Sequence, residues 1–103
     1  MLRGAKLQRA DLRNAQLSNA DLREANLTAA TLQEANLRRA VLRDAQLQQA
    51  DLRRARMLGA DLRGADLTGA KLTGANLRDA MLAGARWTDG TKICAAGSVG
   101  TCK

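Results

Sequence analysis

Proline, histidine, phenylalanine and tyrosine are all missing from this 103-residue chain, and Trp87 is its sole aromatic. Each absence excludes something. A globular core of this size normally draws much of its buried area from several large aromatics. Leu and Ala must supply the core here, so it has to be narrow to reach native packing density. Without histidine, and with two cysteines near one end, the usual zinc ligand sets cannot be assembled, and no metal site or cofactor is expected. Long apolar runs are also missing, so no transmembrane helix and no membrane partner are expected. The opening MLRGAKLQRA has no apolar h-region, so no signal peptide is expected.

Catalysis lacks parts as well. Ser18 has no histidine to serve as its base. Carboxylates fall at turning, exposed positions where their pKa values are expected to stay ordinary. No glycine-rich phosphate loop precedes a helix. The sequence predicts a protein that is not an enzyme.

What is present is a period. Alanine occupies every fifth position from Ala5 to Ala85, seventeen times without a miss. A large apolar residue follows two positions later: Leu7, Leu12, Leu17 and onward, with Met57 and Trp87 as variants. Five residues turn an α-helix through about 500°, which smears the leucines around the cylinder. In a straight strand, residues i and i+5 face opposite ways. Neither element gathers the leucines. A chain that turns once per unit does, with an apolar axis and polar corners. Asp or Asn before many leucines suits such a turn, because its side chain bonds nearby backbone N–H groups. Gly59, Gly64, Gly69, Gly74 and Gly84 close their units where a type II turn needs positive φ. Earlier units place Asn, Arg, Glu, Gln or Ala there, so their corners are expected to be less regular.

Units such as ADLRN, ANLTA, ADLRG and ANLRD resemble the pentapeptide-repeat family, over residues 2 to about 89. The resemblance implies an all-β solenoid: a right-handed quadrilateral parallel β-helix of about four coils, each of four units. Residues 1–89 are expected to form it, with 90–103 as a C-terminal capping segment. Trp87, at an inward position, would roof the last layer. Cys94 and Cys102 read as a disulfide pinning a Gly/Ser-rich loop if the compartment is oxidising, which would place the protein in a periplasm or outside the cell. Two free thiols in a cytoplasm are the alternative, and the cytoplasm is the default location. The N-terminus has no such cap. Its first coil is expected either to pack end to end on a second copy or to continue a longer parent protein.

A net charge of +7 makes polyanions the default electrostatic partners. With four units per coil, the side built on Leu2, Leu22, Leu42, Leu62 and Leu82 balances its charges. The side built on Leu17, Leu37, Met57 and Leu77 does not. Arg38, Arg39, Arg56 and Arg78 face Asp79 alone, and Leu58 takes an outward position. These five residues form the candidate binding surface. Some relatives are acidic mimics of B-form DNA that bind DNA gyrase, and a basic rod does not fit that role. The sequence therefore favours a structural or protein-interaction solenoid of bacterial type with an unidentified protein partner. Nucleic-acid binding through the arginine-rich side is the alternative, and topoisomerase binding ranks last.

Overall fold

The computed structural model describes residues 2–103. Within each unit, the Ala N–H donates to the Leu carbonyl three residues earlier, at 2.9 Å in Ala5–Leu2 and 3.0 Å in Ala45–Leu42. The residue just before each Ala has positive φ, from Gly4 to Gly84. One hydrogen-bonded turn with positive φ only at its third residue is a type II turn. Every unit makes it.

Four turns close a coil, and residue i then lies against residue i+20. Parallel bridges link Lys6 to Asn26, Asp11 to Thr31, Gln16 to Asn36 and Asp21 to Val41, and so on down to Asp66 with Arg86. The product is a right-handed, four-sided parallel β-helix. Its bridges are one residue wide, because each side is only as long as the gap between two turns. Full strands therefore do not form. The bodies of the coils are tied by three repeating bonds. On the second side these are Leu27 N–H to Gln46 O at 2.7 Å, Ala29 N–H to Gln48 O at 2.8 Å and Gln46 N–H to Ala25 O at 2.9 Å.

The corners depart from expectation. Eleven non-glycine residues carry φ between 56° and 63°, and their units turn as regularly as those with glycine. The reason lies in the ladder. The N–H of ten of these eleven residues, all but Asp79, donates to the next coil, as Asn14 does to Gln33 O and Glu34 to Arg53 O. Intercoil bonding overrides the preference of an L-residue for negative φ.

Leu22 through Leu67 are buried at every fifth position, with Met57 in the same series, and the intervening alanines close the gaps between layers. Leu2, Leu7, Leu12 and Leu17 in the first coil are only half-buried. At the other end the chain reverses. Val99 pairs antiparallel with Met81, and Ile93 with Arg86. Leu82 N–H donates to Ser98 O, Gly84 N–H to Cys94 O and Trp87 N–H to Lys92 O. Residues 92–98 thus supply the acceptors that a further coil would have supplied. Cys94 and Cys102, both buried, are joined by a disulfide. Trp87 takes the inward position beyond Leu67 and packs on the core while remaining half-exposed. This strap covers the first and second sides. Leu72 and Leu77, on the third and fourth, stay half-buried.

Candidate functional site

A flat-sided rod offers rows of side chains rather than a cleft. The concavities are shallow polar grooves of 190 to 340 Å³ between stacked rows. No cluster of metal-binding side chains forms among the described residues. The four sides differ in how charge is distributed over them.

One tripeptide frame, Asp-Leu-Arg, dominates two of them. Asp11–Arg13, Asp21–Arg23, Asp51–Arg53 and Asp61–Arg63 each pair within one unit. In each the Asp accepts the backbone N–H of the Arg and two guanidinium hydrogens, at 2.7 to 3.3 Å. The turn cap and the ion pair are one device, because the Asp and the Arg that straddle the inward Leu both point outward. The four motifs fall on the first and third sides. Bidentate bonding holds the Asp11 carboxyl down at about 2 and keeps Asp21, Asp51 and Asp61 below the usual carboxylate range, with the guanidinium hydrogen bond as the leading cause each time. Asp61 is buried between Val41 and Met81 in its column and also receives Arg43 at 3.3 Å. Arg3 bonds Glu24 at 3.2 Å. The first side is thus laced shut.

The fourth side is built differently. Stacking by twenty residues puts Arg38, Leu58 and Arg78 in one column, Arg39 in the corner column above Gly59 and Asp79, and Arg56 between Asn36 and Asn76. All five candidate residues therefore share one face. The four arginines are exposed. Leu58 is not an exposed apolar residue as expected. It is half-buried, sitting in its column between Arg38 and Arg78. Among the described residues, the exposed large apolar side chains are instead Ile93 and Val99, at the strap.

The sequence pattern missed one element of this face. At the position where the first and third sides carry Asp in four of their units, alongside Thr31, Val41, Lys71 and Met81, the fourth carries Gln16, Asn36, Arg56 and Asn76. Asn36 Oδ1 accepts the Arg38 N–H at 3.2 Å and Asn76 Oδ1 accepts the Arg78 N–H at 3.0 Å. The turn cap survives, but the carboxylate is gone. Among the described residues, no ion pair reaches Arg38, Arg39, Arg56 or Arg78. The signal was legible as ANLR against ADLR, once the unit is read as a charge partner as well as a turn. At the corner with the third side, a groove of 340 Å³ runs past Asn36, Arg54 and Arg56.

Comparison with known proteins locates this architecture. The sequence profile for pentapeptide repeats matches residues 2–33, 20–59 and 60–86, in eight copies. Among solved structures, the chain is similar to Rfr23, a pentapeptide repeat protein from the cyanobacterium Cyanothece 51142. The two are 42% identical with a TM-score of 0.68, over 69% of this chain and 48% of that one. Alr5209 from Nostoc PCC 7120 is 44% identical with a TM-score of 0.64, over 79% and 63%. HetL, a pentapeptide repeat protein involved in heterocyst differentiation regulation in Nostoc sp. strain PCC 7120, is 38% identical with a TM-score of 0.58, over 87% and 52%. The aligned parts span about half to three-fifths of those proteins. No curated protein sequence matches the chain.

Proposed function

The chain belongs to the pentapeptide-repeat family, and from that premise we propose that it is a protein-interaction solenoid with no chemistry of its own, presenting its fourth side to a partner. The observation that carries the reading is the contrast between sides. The first and third neutralise their arginines internally, while the fourth has four around Leu58 that no ion pair reaches among the described residues. A surface selected only for solubility has no reason to treat one side differently. HetL is described as involved in regulating differentiation, which is consistent with a non-catalytic role for this architecture.

Nucleic-acid binding through the same arginines is the second reading, favoured by the net charge of +7. Photo-crosslinking tests the proposal. A photoreactive residue replaces Leu58, and in separate variants Thr28, Gln33 and Arg43, which lie on the other three sides. Protein adducts concentrated at position 58 are expected. Adducts to nucleic acid alone, or no protein adduct from any side, would overturn the reading. A DNA titration complements it, since phosphate contacts weaken steeply with salt.

A further inference from the structure

The Asp-to-Asn exchange that distinguishes the fourth side acts on one atom pair. Asp and Asn present the same Oδ1 to the backbone N–H two residues on. Only Asp adds the charged second oxygen that clamps the guanidinium, as Asp11 Oδ2 does for Arg13 at 2.8 Å. With Asn36 and Asn76, the backbone is held and the guanidinium is released. We infer that the fourth side is a docking face for an acidic, extended segment of a partner protein, with carboxylates on Arg38, Arg56 and Arg78 and an apolar side chain against Leu58. The inference rests on the interaction reading above and names the chemistry of the partner.

Three observations select this occupant. Guanidinium forks match carboxylates bidentately, which is the bond the chain itself makes four times on its other sides. Arg38 and Arg78 lie two rungs apart, about 10 Å at the usual spacing between strands, which an extended peptide covers in about three residues. Leu58, half-buried at the centre of the arginines, gains burial under an apolar partner side chain, whereas a phosphate placed over it would lose hydration with no hydrogen bond in return. Nucleic acid fits less well. Single strands are held largely by stacking on aromatics, and the one aromatic, Trp87, stands on the second side at the strap.

The variant Asn36→Asp/Asn76→Asp is the test. It keeps every arginine and every turn cap, because Asp already fills this position at Asp11, Asp21, Asp51 and Asp61. It restores the internal partner for Arg38 and Arg78. The probe is a fluorescent peptide of about nine residues, an extended length of about 30 Å, with one central Leu between runs of Glu. Binding is read by anisotropy at low salt on the full chain. The wild type is expected to bind this peptide more tightly than a version with central Ser, and more tightly than single-stranded or duplex DNA. The double variant is expected to bind about ten-fold more weakly, the combined effect of occupying two exposed arginines. Unchanged affinity in the double variant, no preference for the central Leu, or tighter binding of DNA overturns the inference. Failure here is distinguishable from failure of the interaction reading. Protein adducts at position 58 that persist in the double variant remove the acidic segment and leave the interaction face. No adducts from any side remove both.

Discussion

Ala29 and Ala30 are neighbours, and the same substitution should move stability in opposite directions at the two. Ala29 closes its unit with φ of 60° and is exposed. Ala30 starts the next unit and is fully buried. The left-handed region costs a residue with a Cβ about 1–2 kcal/mol. Glycine removes that cost but loses about 0.5–1 kcal/mol more backbone entropy on folding. Ala29→Gly should therefore stabilise by about 0.5–1 kcal/mol, raising Tm by about 3–6 °C in a domain of this size. At Ala30 the positive-φ term is absent. Ala30→Gly removes a buried methyl worth about 0.8 kcal/mol and adds the entropy loss. It should destabilise by about 1.5 kcal/mol and lower Tm by about 6–12 °C. Thermal unfolding followed by circular dichroism, with the disulfide intact, reads both. A fall in Tm for both variants would show that the intercoil bonds relieve the strain at position 29 by some other route.

Three further outcomes follow from the ends and the ion pairs. Reducing Cys94–Cys102, which are separated by 8 in sequence, should cost about 2–3 kcal/mol by loop entropy. Hydrogen exchange should quicken at the Leu82, Gly84 and Trp87 amides while Leu42 stays protected, and uniform quickening would contradict a local strap. The Asp11 carboxyl, lowered from 3.8 to about 2 by Arg13, should titrate in NMR near the lower value, and a midpoint near 3.8 would break the assigned pair. Because its folded pKa is the depressed one, the pair's contribution is full above about pH 4 and is lost as pH falls through 2. End-to-end pairing through the Leu2–Leu17 layer should appear as a concentration-dependent dimer in sedimentation, and a monomer at the highest attainable concentration removes it.

The period of Ala and Leu made the coil legible from the sequence, since neither a helix nor a straight strand gathers Leu22, Leu27 and Leu32 on one side. The number of units per coil came from family resemblance, and the bridges between i and i+20 agree with it. The regular corners at Arg39 and Gln49 were not legible. Local propensity argues against positive φ there, and the bonds that override it come from Leu58 O and Thr68 O, nineteen residues away. The candidate face was half-legible. Counting charge by side picked out Arg38, Arg39, Arg56 and Arg78, but counting does not say which charges are already spoken for. That needs the short reach from Asp to the second residue after it, visible at Asp51–Arg53 and broken at Asn36–Arg38. The half-burial of Leu58 depends on the rows above and below it, which a one-dimensional reading treats as remote.

The twenty-residue register behaves as a reading frame for the surface. Every unit has the same backbone, so the coil has no means of detecting a unit added or removed. A five-residue insertion after Ala40 would leave the turns, the Leu axis and the intercoil bonds in place. It would also rotate everything downstream by a quarter turn. Arg56, Leu58 and Arg78 would pass to the neighbouring side, and Arg38 would be stranded. A twenty-residue insertion would only lengthen the rod by one rung. Chains of this kind can thus change length freely in whole coils, while a change of one unit scrambles whatever face they present.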